Sequence, residues 1–200
     1  MIGILGGIGS GKSSVVRHVT GYRFCIVDAD RIGHDLLSDF TIQLALRRCF
    51  GDEIFSSEDI VDRSRLAKRV FGDSSVQKAA LVRLNTILHP AIRREIYSQI
   101  DSASRDVDAV ILDAALLLEG GWDASCDWLI FVDTPLRIRK HRVRENRGWT
   151  AEELARREAA QWSTESKKDR ADFVVDNSGS LDESAVQMKQ VFRSILSHEK

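Results

Sequence analysis

A doubly wound α/β fold is predicted by three observations: five short apolar runs, helical periodicity between them, and a glycine-rich turn directly after the first run. The runs are IGIL (2–5), FCIV (24–27), AVIL (109–112), WLIFV (128–132) and FVV (173–175). They are β-rich and do not alternate with polar residues, as expected of strands in a parallel sheet covered on both faces. Strands alternating with helices make such a sheet.

Each element has its own warrant. After the first run, SSVVRHV continues as a helix. Beyond the second run, Leu66 and Val70, then Leu81, Leu84 and Leu88, then Ile92, Ile96 and Ile100 recur at three- or four-residue steps, which predicts helices and no strand across about 31–105. After the fourth run, Thr134-Pro135 offers an N-cap and a first-turn proline, and Thr150-Ala-Glu-Glu153 reads as a capping box. The result is one domain: a core of about 1–30, 106–136 and 169–200, a helical insertion at about 31–105, and a second at about 137–168.

Composition narrows the function. The net charge is −1, from 29 basic and 30 acidic residues, which makes no strong electrostatic bid for nucleic acid or an anionic membrane. Runs such as AVIL and ALLL (115–118) fall far short of the roughly 20 residues of a membrane span. No charged leader with an apolar segment precedes the first motif, so a soluble cytoplasmic protein is expected. Cys25, Cys49 and Cys126 are an odd, widely spaced set, read as reduced core thiols.

The turn itself, Gly6-Gly-Ile-Gly-Ser-Gly-Lys-Ser13, fits GxxxxGK[ST], the phosphate-binding P-loop. Each glycine would cost roughly 0.5–1 kcal/mol in a regular element, so the bare backbone needs a reason. It lets successive amides converge on an anion at a helix N-terminus. Gly7, Ile8, Gly9, Ser10, Gly11, Lys12, Ser13 and Ser14 are therefore expected on the phosphates of a nucleotide, ATP or GTP, with Lys12 reaching the β- and γ-phosphates and Ser13 on Mg²⁺.

Other residues must choose the reaction. There is no Asn-Lys-x-Asp guanine reader and no LSGGQ-like stretch, which removes support for a GTPase or transporter. IVDADRIGHDLL instead places Asp28 and Asp30 at the end of the second strand, where carboxyl ends face the ligand crevice. One acid can take the proton of an attacking hydroxyl while another serves magnesium; helix capping is the alternative for either. At VILDAALLLEGG, Asp113 reads as a Walker B-like acid supporting Mg²⁺ or as a turn aspartate. Glu119 either pairs with a basic lid, contacts substrate, or lies on the surface. Arg137, Arg139, Lys140, Arg142, Arg144 and Arg147 crowd one segment. Most would be solvated, with Arg142, Arg144 and Arg147 favoured to close over ATP, because guanidinium forks suit phosphoryl oxygens. Asn177-Ser-Gly179 could pack against adenine or form an ordinary turn.

Taken together, GGIGSGKSS, VDADRIGHDLL, VDRSRLAKRVF, LNTILHPAIRREI, VILDAALLLEGG, TAEELARREAAQ and ADFVVDNSGS, in this order and spacing, resemble the dephospho-CoA kinases over nearly the whole chain. The resemblance implies a three-layer P-loop kinase fold with a five-stranded parallel sheet, and transfer of the ATP γ-phosphate to the ribose 3′-hydroxyl of dephospho-CoA. It implies Asp30 as the base, 31–105 as the CoA-binding region and 137–168 as a lid. Arg63 and His89 become candidate acceptor contacts, although His89-Pro90 also suits a helix start. Asp28 joins Ser13 and Asp113 as a candidate metal residue. The expected partners are ATP and dephospho-CoA, with a monomer or weak homo-oligomer as the working state. Three departures stand out: Ala115 where the family usually has proline, Ser38-Asp39-Phe40 where a Pro-Gly turn is common, and an ENRGW stretch that does not align cleanly.

Overall fold

The structure is a computed structural model and describes residues 1–72, 74–102 and 106–197. Its strands are β1 (Ile2–Gly6), β2 (Phe24–Asp28), β3 (Ala109–Asp113), β4 (Trp128–Asp133) and β5 (Phe173–Asp176), paired in parallel in the order β2-β3-β1-β4-β5. The five predicted runs are thus the five strands, each extended by a residue. In β2, β3, β4 and β5 that residue is an aspartate, so the carboxyl edge of the sheet is lined by acids.

The helices are α1 (Lys12–His18), α2 (Ala29–Leu36), α3 (Phe40–Phe50), α4 (Arg63–Val70), α5 (Ser75–Ser102), α6 (Leu136–Arg147), α7 (Ala151–Glu158), α8 (Thr164–Arg170) and α9 (Leu181–Ser197). The chain divides into two compact units, one of Met1–Asp28 with Ala103–Lys200, the other of Ala29–Ser102. The boundary expected near 105, and the last three residues of the expected core, lie outside the described residues.

In the first unit, Ile2 and Ile4 of β1 meet Val15 and Val16 of α1 and Met188, Phe192 and Ile195 of α9. The spacing of those α9 residues puts them on one helical face. Gly3 points the other way, where an added Cβ would come within 3.0 Å of Leu117, Leu129 and Cys126. Burial pushes the Cys126 thiol up to about 11, the behaviour of an unreactive core thiol. All three cysteines are free and half-buried.

The second unit has its own apolar centre, built from Ile42, Leu46 and Phe50 of α3, Leu66 and Val70 of α4, and Ala80, Leu84 and Ala91 of α5. Asp39 caps α3 by accepting the Ile42 N–H at 3.0 Å, so the Ser38-Asp39-Phe40 departure is a working helix start. Asp62 likewise caps α4, accepting from Ser64 and Arg65.

One capping alternative and one capping expectation are corrected. His89-Pro90 does not begin a helix: Pro90 lies inside α5, which runs through it. The proline forfeits one helical hydrogen bond, at a cost of about 3 kcal/mol, and buried Leu84, Ala91 and Ile96 on either side hold the helix together. Thr134 does not cap α6 either. The helix begins one residue later with Pro135 as its N-cap, and the Thr134 hydroxyl donates to the Ser10 carbonyl at 2.9 Å. Thr150 does cap α7, accepting the Glu153 N–H at 3.2 Å, but the Glu153 carboxylate turns to Arg156 and Arg157 instead of closing the box.

Candidate active site

The glycine-rich turn lies between β1 and α1 at the carboxyl edge of the sheet. It closes on itself through the Ser10 N–H to Gly7 carbonyl bond at 3.0 Å. Gly11, the N-cap of α1, has a φ of 80°, a left-handed conformation that L side chains rarely adopt. Space is a second reason for glycine there. A Cβ at Gly11 would stand 3.0 Å from Arg142 Nη1 and 3.1 Å from Asn177 Nδ2. The bare backbone is therefore required on the protein side of the loop as well as toward any ligand.

Three donors from three places meet on the Ser10 carbonyl: the Thr134 hydroxyl at 2.9 Å, Arg142 Nη1 at 3.0 Å and Asn177 Nδ2 at 2.6 Å. Arg139 grips the same loop from one turn earlier in α6. It is only 5 % exposed, donates from Nε to the Thr134 carbonyl at 3.1 Å, approaches the Ile8 carbonyl at 3.4 Å, and pairs with Glu158 of α7. A buried guanidinium needs this many partners, since an unpaired charge there is strongly destabilising.

At the other end of the loop, Lys12 lies 3.7 Å from the Asp113 carboxylate, and the Ser13 hydroxyl donates to that same carboxylate. Asp28 is the register partner of Asp113 across the β2–β3 ladder. In a parallel pair such partners project to the same side, so hydroxyl and carboxylate oxygens collect at one corner of the sheet. That is a hard-oxygen donor set, the kind Mg²⁺ takes when it keeps several of its waters. The observed Ser13–Asp113 bond makes these two residues a good fit for the ion.

The remaining candidates divide. Ser14 is exposed on the first turn of α1. Glu119 accepts the Trp162 N–H at 2.7 Å and pairs with Lys167 Nζ at 3.3 Å; that lysine is 3 % exposed and also reaches Gln161. Arg144 and Arg147 are exposed and are not brought to the loop. The Arg147 guanidinium lies 4.8 Å from the Trp149 ring, which Arg157 also covers at 4.1 Å. Asn177 is 1 % exposed, its amide directed at the loop backbone.

In the second unit, Asp30 stands in the first turn of α2, two residues along the chain from Asp28. Arg63 opens α4 and donates from Nη2 to His34 Nε2 at 2.8 Å, which requires that imidazole nitrogen to be unprotonated. His89 is half-buried in α5; burial, then the nearby Arg93 charge, lower its pKa below 6.5.

Arg139 and Thr134 were not among the predicted site residues. Arg139 sat in a charge run that reads as solvated, and its partner Glu158 is 19 residues on. Thr134 reads from the sequence as a helix cap, because threonine directly before proline suits that position.

Comparison with known proteins gives the family. A family model described as dephospho-CoA kinase matches residues 1–183. The dephospho-CoA kinase of Rhodopirellula baltica is 38% identical over 199 residues, covering 98% of this chain and 91% of that protein. That of Enterococcus faecalis is 38% identical over 191 residues, covering 95% and 94%. A crystal structure from Thermus thermophilus superposes with a TM-score of 0.81 at 32% identity, covering 96% of each chain. A Campylobacter jejuni dephospho-CoA kinase structure shares the fold, with a TM-score of 0.67 at 22% identity over 100% of this chain and 98% of that one. With the phosphate loop, its lysine and serine, and the acid they share all in place, the chain belongs to the dephospho-CoA kinase family.

Proposed function

We propose that the protein transfers the γ-phosphate of ATP to the ribose 3′-hydroxyl of dephospho-CoA, forming coenzyme A and ADP. The observation that carries this is the convergence of Lys12 and Ser13 on Asp113 beside the glycine-rich loop.

The loop amides and Lys12 hold the phosphates of ATP. Ser13 and Asp113, with Asp28 beside them, are the residues that would hold Mg²⁺, which when bound neutralises charge on the phosphate oxygens. Asp30 orients the ribose hydroxyl and takes its proton as the oxygen attacks the γ-phosphorus. The bond from that phosphorus to the bridging oxygen breaks, and ADP departs with the electron pair. Arg144 and Arg147 are exposed and able to meet phosphate oxygens from the 137–168 segment, and Arg142 keeps further N–H donors beyond the one spent on Ser10. Exclusion of water during transfer protects ATP from hydrolysis. Arg63, His89 and Glu119 are the candidate acceptor contacts, and the 31–105 segment the acceptor-binding region. No helix among the described residues is long and apolar enough to cross a membrane. A cytoplasmic monomer or weak homo-oligomer is the corresponding state.

The test is an acceptor panel. Dephospho-CoA, AMP, GMP and CMP are each offered with Mg·ATP, and ADP release is followed. Strong preference for dephospho-CoA is expected. Preference for a nucleoside monophosphate would replace the acceptor assignment, and no turnover with any of them would favour a nucleotide-sensing module.

A further inference from the structure

We propose that Asn177 is a positioning residue for the phosphate loop. It acts through the Ser10 carbonyl, is held in orientation by Ser184, and governs how tightly the loop grips the donor's phosphates rather than reading its base. The inference rests on the phosphate-donor reading of the loop.

Both side chains are buried, Asn177 to 1 % and Ser184 to 0 % exposure. Asn177 Nδ2 donates to the Ser10 carbonyl at 2.6 Å, and its Oδ1 accepts from the Ser184 hydroxyl at 2.8 Å. Facing a carbonyl on one side and a hydroxyl on the other, the amide pairs fully in one orientation only. Its backbone is tied down as well, the Asn177 N–H donating to the Asp133 carbonyl at 2.7 Å. A buried polar chain therefore runs from α9, through the end of β5, into the loop.

The peptide plane explains why this matters for phosphate. The Ser10 carbonyl and the Gly11 N–H belong to one trans peptide, so they point in opposite directions. Drawing the carbonyl into the protein turns the Gly11 N–H outward, toward the side on which an anion is held. A backbone carbonyl has two lone pairs, and here three donors compete for it, so this peptide is held against rotation. Glycine at position 11 leaves room for this arrangement, since a Cβ there would crowd both the Arg142 and Asn177 donors.

The experiment compares wild type, Asn177→Ala, Asn177→Asp and a control, Gln187→Ala. Gln187 bonds the backbone of Asp176 at the same corner without touching Ser10. Turnover is measured against ATP, with inorganic tripolyphosphate as a competing probe that has no base. In Asn177→Ala the KM for ATP and the inhibition constant of tripolyphosphate are expected to rise together, by about tenfold, as one buried hydrogen bond is lost. The kcat at saturating ATP should change little. Asn177→Asp, the same shape with a carboxylate facing the carbonyl, should lose at least as much. Gln187→Ala should match wild type. Deuterium uptake of residues 7–13 in the ligand-free protein should quicken in both Asn177 variants and not in the control. Weakened ATP with unchanged tripolyphosphate inhibition would assign Asn177 to the base and overturn the proposal. So would an Asn177→Asp enzyme that behaves as wild type, or unchanged uptake. An inert wild type would strike the donor reading instead, while the uptake comparison still decides the role of Asn177.

Discussion

Single side chains make the sharpest tests. Lys12 is the only cation besides the α6 arginines placed on the loop among the described residues, and it already faces a carboxylate. Lys12→Ala should lower turnover by about 10²–10³-fold, as expected for removing a preorganised charge from a transition state; steady-state kinetics with saturating acceptor checks it. Asp30→Asn should slow transfer by about 10²–10⁴-fold, the range for a general base. ATP binding by calorimetry should be nearly unchanged in that variant. Normal turnover would remove Asp30 from the base role. His89 makes a claim about pH. Its folded pKa is depressed below 6.5 by burial and by Arg93, so below that value the unfolded chain binds the extra proton more readily than the folded one. Stability from this residue is fully present above pH 6.5 and is lost as pH falls through the lower, folded pKa. Urea unfolding across that window should show a shallower acid-side loss in His89→Gln than in wild type, and equal slopes would contradict the assigned environment.

At the scale of elements, α5 carries the clearest anomaly. Pro90 interrupts a helix whose two halves both bury apolar residues. Pro90→Ala restores a backbone donor and relieves the ring's clash with the carbonyl four residues back, and the gain exceeds the roughly 0.4–1 kcal/mol lost through the freer unfolded chain. A net stabilisation of about 1–2 kcal/mol is expected by urea unfolding, within the range that a helix-interior proline costs. The strands were legible because a buried parallel strand must be apolar along its length, a signal local to four or five residues. The course of the helix through His89-Pro90 was not, because proline looks the same at a helix start as inside one, and only packing on both sides distinguishes them. Helix α9 carries a signal of the same kind, since Ala185, Met188, Phe192 and Ile195 repeat at helical spacing and are its buried face.

For the whole molecule, the glycine-rich loop with its lysine and serine was readable because phosphate chemistry dictates residue types at fixed spacing. Its support was not. The Ser10 carbonyl is backbone and carries no sequence signature, yet Thr134, Arg142 and Asn177 arrive at it across 124, 132 and 167 residues. Arg139 was hidden for the same reason, since a buried arginine is recognised by its partners and not by its neighbours in the chain. Phosphoryl transfer itself is measured by following the label from ATP carrying a radioactive γ-phosphate, incubated with the protein, Mg²⁺ and dephospho-CoA. Label is expected on the ribose 3′ oxygen of newly formed coenzyme A, in step with ADP release. Label appearing only as inorganic phosphate, or remaining wholly on ATP, would contradict that transfer.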